Sequence, residues 1–400
     1  MSRENAPGDH GGAVHTWQVA TLLARRGHAV SLLCHRRAGE PAQEQRDGVA
    51  IHRAPMGLGR RRLPLRALPA LSSFRGQRFD VVMERFDTFG GLGAVYSRQT
   101  GTPLLLEVNY PHLEEMAWKW RHRGLAFASA PVVGLLRAWN AWQYARAAAV
   151  IAVRESVVPA PHRHKVRLVH WGANPDSFRT ADDDPERVAR LRSQLDLRGR
   201  RVVVSHGSFQ PWHAPAVFPE VMARVVTRVP DVAFLLLGRG GGLEEIEGQA
   251  RARGLAEWCR FPGQVAHEEV PDFLAAADLA LAPFDSLAYP PLLEFGFFWS
   301  PAKIFEYMAC GVPVVTTDQD YLRRVVEGTG AGTCVPQRDP EALAAAVTEL
   351  LEDGERRRTM GRLGRRAVLE TFSWQAHVEQ LASILQELAH PPSAAPRGKR

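Results

Sequence analysis

The residues of this 400-residue chain best suited to chemistry lie in one stretch, Phe297–Val315, FFWSPAKIFEYMACGVPVV. Ser300-Pro301 has the form of an N-cap followed by proline at the first helical position. Ala302–Ala309 then makes one short helix, Gly311 ends it, and Pro313-Val314-Val315 begins a strand. Such a helix start offers free N–H groups and the positive end of a dipole, which together attract an anion. Lys303 falls in the first turn, where the dipole disfavours a cation unless an anion is bound. Glu306, three residues on, shares a similar face, and its carboxylate could accept two hydrogen bonds from a ribose diol. The plainer alternative is an exposed Lys303–Glu306 pair, worth roughly a few tenths of a kcal/mol.

Elements of a parallel sheet are needed to hold such a helix. Both halves of the chain read as strand–turn–helix alternation, the pattern of an α/β fold with helices on both faces. The first half predicts strands at His28–His35, Phe79–Glu84, Pro103–Val108 and Ala147–Val153, with helices at Ala13–Arg26 and Leu135–Arg146. The second half predicts strands at Arg201–Ser205, Val232–Leu237, Leu279–Pro283 and Pro313–Thr316. Its helices fall near 215–228, 243–253, 301–310, 340–353 and 374–389. We therefore expect a domain over residues 1–175, a polar linker over 176–200, and a second domain over 201–372. A helix over 373–390 is expected to cross back to the first domain, ahead of a disordered Pro-rich tail at 391–400. A Gly-rich loop entering a helix in such a fold normally follows a buried strand. Here GDHGG begins at residue 8, and MSRENAP has no strand pattern. A missing central strand would leave its neighbours' backbone unpaired, so the expectation is a sequence that begins late.

Composition narrows the classes. With 45% hydrophobic and 23% charged residues the chain has a core to bury, which excludes wholesale disorder. No run approaches the roughly 18 apolar residues of a membrane span, and the polar N-terminus does not resemble a signal peptide. The four cysteines, Cys34, Cys259, Cys310 and Cys334, lie far apart without a CxxC. That excludes a disulfide scaffold and a Cys-based zinc site, and it fits a cytoplasmic protein. The net charge of +7 divides into +12 for residues 1–200 and −5 for 201–400. The basic half suggests attraction to an anionic acceptor, phospholipid or nucleic acid, although a chain rich in Arg with only four Lys also follows from GC-rich coding. No nucleic-acid motif and no basic cluster on a regular helix face is present, so nucleic acid is not expected as a partner. Residues 57–78 mix Arg with Leu and Pro and could touch the inner face of an anionic membrane, while their prolines favour a flexible basic loop. Trp139 and Trp142, at helical spacing, read as core packing or as a platform for an acceptor.

Ser300–Met308 resembles the donor-site signature of the retaining glycosyltransferases of GT-B fold, family 4 (glycosyl transferases group 1). Other segments carry the likeness along most of the chain. Gly11-Gly12 before a helix resembles the family's N-terminal glycine loop, and Glu107-Val108-Asn109 sits where the family has its acceptor loop. Trp171–Phe178 resembles the interdomain motif, and Gly207–His213 the start of the nucleotide-binding domain. Phe261–Pro283, which includes Val265, resembles the segment whose backbone meets the base. The resemblance implies two Rossmann-like doubly wound domains facing across a cleft, here with the first strand of the N-terminal sheet apparently missing. It implies Glu306 on the ribose, with Lys303 and the backbone of Ser300, Pro301 and Ala302 facing the diphosphate. Gly11, Gly12, Gly207, Gly238 and Arg239 would attend the donor phosphates. Arg239 also reads as an ordinary turn residue.

Departures from the family pattern are specific. The first glutamate of the family's pair falls at Phe298, with Glu294 out of register, and an aromatic there is familiar in the serine-proline-lysine branch. The clamping arginine and lysine map onto Ser208 and His213, so a protonated His213 or Arg239 would have to substitute. The loop histidine falls at Asn109, which makes His112 the nearest imidazole able to act on an acceptor, although a loop histidine is also commonly structural. The implied reaction passes a hexose, with retention, from a nucleotide diphosphate sugar to an acceptor alcohol in the cleft. Its main demand is stabilisation of charge on the departing phosphate. No cofactor and no metal is expected, since Asp182-Asp183-Asp184 lies in the polar linker. The departures also admit a catalytically silent relative that binds nucleotide or a partner.

Overall fold

In this computed structural model residues 1–8, 11–57 and 64–391 are described, apart from the side chains of 126–128. Two units are distinguished by their internal contacts, one of Met1–His170 with His377–Arg400 and one of Trp171–Ala376.

The first unit contains two sheets. In one, β1 (Val30–His35) pairs parallel with β3 (Val49–Ala54), which pairs antiparallel with β2 (Gln43–Arg46). The other is parallel throughout, in the order β4 (Val82–Arg85), β5 (Leu104–Val108), β6 (Ala149–Ala152), β7 (Val166–Leu168). All five residues of β5 are buried, as expected of a parallel strand covered on both faces. Val19 and Leu23 of the Gly11–Arg25 helix join Leu105, Ala149 and Ile151 in one apolar cluster with Val378, Leu381 and Ile384, from the last helix, Trp374–Ala389. That helix therefore belongs to the core of the first unit from His377 onward.

Contrary to the sequence reading, MSRENAP does contribute strand-like pairing. Ser2 N–H donates to Leu33 O and His35 N–H to Glu4 O, both at 3.0 Å. Arg85 N–H donates to Met1 O at 3.0 Å, and the Met1 ammonium donates to Met83 O at 2.6 Å. Met1–Glu4 thus runs between β1 and β4 and joins the two sheets over a short length. Beside it a cavity of about 790 Å³ opens between the same strands, lined by Val30–Leu33, Phe79–Met83 and Leu385.

The second unit is one parallel sheet of six strands: β8 (Arg201–Gly207), β9 (Val232–Gly238), β10 (Cys259–Gly263), β11 (Leu279–Ala282), β12 (Val314–Thr317) and β13 (Gly332–Val335). The order β10-β9-β8-β11-β12-β13 carries the chain outward on one side of β8 and then back to its other side. The β8/β11 boundary is therefore a topological switch point, where ligands of such sheets bind beyond the strands' carboxyl ends. Phe218, Met222 and Val225 of one helix and Leu343, Val347 and Leu350 of another bury the sheet residues Phe234 and Leu236.

The observed elements exceed those read from the sequence. Strands β2, β3, β7, β10 and β13 and the helices Leu92–Thr100, His112–His122 and Gly354–Glu370 were not in that reading. The helix expected from Leu135 begins at Ala126, with Pro131 inside it. Within the polar stretch 177–200, Asp184 caps the helix Pro185–Gln194 by accepting from Arg187 N–H. The basic stretch 57–78 is described only at residue 57 and from Pro64, where 3-10 turns bury Leu71 and Phe74. Residues 58–63, and the tail after residue 391, lie outside the described residues.

Candidate active site

The helix of the signature segment, Ala302–Ala309, starts beside the carboxyl end of β8. Ser300 is not its N-cap: Pro301 takes that place, and no side chain caps the helix. The Ser300 hydroxyl instead accepts from Trp171 N–H at 3.2 Å. With that hydroxyl taken by the Trp171 backbone, the helix start has no side-chain acceptor. Its positive end is thus available to an anion.

Lys303 and Glu306 are not the exposed pair of the plainer reading. Glu306 Oε2 lies 2.8 Å from His206 Nε2, with side-chain exposures of 16% and 13%. His206 is further fixed by its backbone N–H, which donates to Tyr307 Oη at 2.9 Å, and by the Tyr307 ring set edge-on at 5.0 Å. Burial raises the Glu306 carboxyl, but the His206 hydrogen bond and the fields of His206, His267 and Lys303 outweigh it and hold it below its ordinary value. Burial pushes the Lys303 amine down to about 8, with Glu306 opposing. Its Nζ lies 5.8 Å from the centre of the Phe284 ring.

Two glycines allow this arrangement. Gly207 has φ 128°, and a Cβ there would stand 3.1 Å from Lys303 Nζ. Gly238, at the end of β9 with φ 132°, would drive a Cβ to 1.9 Å from Gly207 O. The strand ends can cross this closely only without side chains. Arg239 follows on the surface, its N–H donating to Gly207 O at 3.2 Å. Val265 lies half-buried in the loop after β10. His213 departs from its expected state. Burial first, then Lys303 and His206, push its imidazole down to about 2, so the ring is neutral rather than a protonated clamp. Its Nδ1 accepts from Gln210 N–H at 3.4 Å. Phe298 is 1% exposed and is a core residue.

A second group of expected residues lies in the first unit, at the carboxyl ends of β4 and β5. Glu107 is 3% exposed and accepts from Asn109 Nδ2 at 3.0 Å, with His15 Nε2 at 3.2 Å and Arg85 Nε at 4.0 Å. Burial raises its pKa, with Arg85 opposing. Gly12 is tightly set: a Cβ would come within 2.9 Å of Glu4 Oε1, and its carbonyl accepts from Arg85 at 2.6 Å. Gly11 opens to free space. His112 stacks on Tyr110 at 3.5 Å, and its Nδ1 lies 3.8 Å from Asp87 Oδ2. Burial, then Arg3 and Arg85, hold the imidazole well below its ordinary pKa, so it is neutral. Asp87 also binds Arg3.

Arg3, Arg85, Asp87, Tyr110 and His206 were missed in the sequence. A signal existed for three of them, polar side chains at the carboxyl end of an aliphatic strand: Arg85 ends β4, Asp87 follows it by two residues, and His206 is the next-to-last residue of β8. Trp139 serves structure, since its Nε1–H donates to Gly90 O at 2.9 Å and its ring stacks on Trp142. Asp183 and Asp184 act as local caps. Among the described residues no group of three His, Cys, Asp or Glu side chains could hold a metal ion, and no helix is long and apolar enough to cross a membrane.

Comparison with known proteins fits this site. Residues 200–353 match the family "Glycosyl transferases group 1", and residues 10–167 match "Glycosyl transferase 4-like domain". The chain therefore belongs to the group 1 glycosyltransferases. It is 31% identical over 219 residues to a GDP-mannose-dependent alpha-(1-6)-phosphatidylinositol monomannoside mannosyltransferase of Mycolicibacterium smegmatis, covering 54% of this chain and 56% of that one. The match thus spans little more than half of that relative's length. It is 27% identical to a D-inositol 3-phosphate glycosyltransferase of Thermobispora bispora, covering 95% of this chain and 90% of that one. Among solved structures it is similar to sucrose-phosphate synthase from Thermosynechococcus elongatus, with TM-score 0.70, 21% identity, and 95% and 94% of the two chains covered. Anabaena HepE in complex with UDP and glucose is also similar, with TM-score 0.68, 16% identity, and 96% and 98% covered. The fold is that of the GT-B glycosyltransferases.

Proposed function

We propose that this chain transfers a hexose, with retention at the anomeric carbon, from a nucleotide diphosphate sugar to an acceptor hydroxyl. The acceptor class is a glycolipid, polysaccharide or natural-product alcohol. The observation that carries the proposal is the juxtaposition, at the switch point, of an uncapped helix start, the Lys303 ammonium over Gly207, and Glu306 held by His206. The helix start and Lys303 bind the diphosphate, and the Glu306 oxygen not held by His206 accepts from the ribose. As the bond from the anomeric carbon to the phosphate oxygen breaks, negative charge grows on that oxygen. Preorganised N–H groups and the half-buried ammonium stabilise it without reorganisation. The acceptor oxygen bonds to the same face of the sugar, and its proton passes to the departing phosphate. On the acceptor side we assign Glu107, Asn109 and His112, with Asp87 orienting the neutral His112 ring. The names of the relatives, a phosphatidylinositol monomannoside mannosyltransferase and a D-inositol 3-phosphate glycosyltransferase, support a polyhydroxy acceptor.

The test is a thermal-shift and calorimetric panel of UDP, GDP, ADP and dTDP, each with and without EDTA. A ligand at 100 times its Kd adds about 2.7 kcal/mol of stability. One nucleotide should give an EDTA-insensitive shift that Glu306→Ala abolishes, and its hexose conjugates should be turned over. Nucleotide binding without turnover of any sugar conjugate would overturn the transferase reading.

A further inference from the structure

An aromatic wall stands at the start of the Ala302–Ala309 helix and has no part in the nucleotide reading above. The ring of Trp212 lies 5.2 Å from Tyr289 and 5.7 Å from Trp299, and Tyr289 lies 5.2 Å from Trp299. All three are half-buried, and the fully buried Phe297 and Phe298 pack behind Trp299 at 5.8 and 5.6 Å. The segment is fixed by backbone: Asp285 N–H donates to Trp212 O at 2.9 Å, and the Asp285 carboxylate accepts from Leu287 N–H and from Arg338. The wall connects directly with the proposed phosphate site. Lys303 lies over Phe284, Phe284 meets His213 at 5.5 Å, and His213 adjoins Trp212 at 6.0 Å.

Direction follows from the helix and rests on the proposed function. If the diphosphate sits at the helix start and the ribose at Glu306, one turn further in, the group on the other phosphate leaves toward Trp299, on the N-terminal side. That group is the sugar to be transferred. The wall itself is made of two indoles and one phenol, with no carboxylate among its three side chains. Phe298 stands where a sugar-binding carboxylate is expected, Asp285 is engaged by its own turn and Arg338, and Glu294 is exposed. A sugar hydroxyl pressed on the ring faces gives up water there with no carboxylate of the wall to accept from it, which costs roughly 5- to 100-fold in affinity. A carbon face gains contact on the same rings.

We propose that Trp212, Tyr289 and Trp299 bind the transferred sugar and select a deoxyhexose over its fully hydroxylated counterpart. The experiment compares two conjugates of whichever nucleotide binds, identical except at C6, such as a 6-deoxymannosyl and a mannosyl conjugate, with the free nucleotide as reference. In the unaltered chain the 6-deoxy conjugate should bind at least fivefold more tightly. Trp299→Ala and Trp212→Ala should bring that ratio close to one, with the free nucleotide's Kd within about twofold of the unaltered chain. Trp299→Phe should restore much of the preference. Equal or reversed affinity in the unaltered chain overturns the proposal, as does an unchanged ratio in both alanine variants. Failure of every free nucleotide to bind is a separate result, and it overturns the donor-site reading beneath it.

Discussion

Lys303 titrates just above neutrality, and nucleotide affinity should follow. With its pKa lowered to about 8 by burial, about nine-tenths of the amine is charged at pH 7 and about one-tenth at pH 9. A diphosphate at the helix start stabilises only the charged form, so the bound pKa rises toward the ordinary lysine range. The sign is then fixed. Above pH 8 binding must draw a proton from solution, and affinity falls as pH rises. Working through the two populations, Kd should weaken about tenfold between pH 7 and pH 9. Proton uptake should grow from about 0.1 to about 0.9 per nucleotide over the same interval. Calorimetry in two buffers of different ionisation enthalpy measures both quantities. Lys303→Arg, which stays charged throughout, should flatten the profile. The unliganded fold should respond in the opposite direction: a lysine with a lowered folded pKa penalises folding fully below pH 8, and the penalty fades as pH rises toward 10.5. A flat Kd from pH 7 to 9, or the same slope in Lys303→Arg, would refute the assignment of Lys303 to the phosphates.

Other substitutions probe neighbouring contacts. Gly207→Ala imposes a left-handed conformation on a residue with a side chain and sets its Cβ against Lys303; we expect a loss of about 1–3 kcal/mol in stability, read by thermal denaturation, and weaker nucleotide binding. His206→Asn frees the Glu306 carboxylate, which should then titrate nearer its ordinary value, so nucleotide affinity should fall off at a higher pH on the acid side than in the unaltered chain; an unchanged acid limb would argue against the pairing. Arg365 donates to the carbonyls of Pro175, Phe178 and Ala309, and its replacement by Ala strands all three, at about 2–4 kcal/mol and with a lowered Tm of the second unit.

Much of the second unit was legible because its signals are local. The helix and strand around Lys303 are written within nineteen residues, from Phe297 to Val315, and the buried strands are short aliphatic runs. What the sequence concealed depends on distance along the chain. His206 and Glu306 are 100 residues apart, and nothing in either neighbourhood announces the pair. Arg3 and Asp87 are 84 residues apart. The β2–β3 hairpin is a different case, since its turn signal is local and its strand signal is weak. Asp47-Gly48, both with positive φ, form a two-residue turn between Arg46 and Val49, but β2 is wholly polar and lacks the alternation that marks a half-buried strand. Ser300 shows the limit of capping rules: serine followed by proline has the right composition, and a tertiary partner, Trp171 N–H, claimed the hydroxyl.

The division of the first unit into two segments, Met1–His170 and the residues from His377, has a consequence for biosynthesis. A ribosome makes all of Trp171–Ala376 before it makes Val378, Leu381 and Ile384, which complete the apolar cluster around Leu105. The entry and exit of the second unit are stitched together, with Ala173 N–H donating to Phe372 O at 2.9 Å and Trp374 N–H to Ala173 O at 3.1 Å. The unit translated second can therefore close while the N-terminal one still waits with an open apolar stripe. Maturation runs against the direction of synthesis, and a nascent chain released before the residues from His377 onward emerge carries a closed second unit on an unfinished partner.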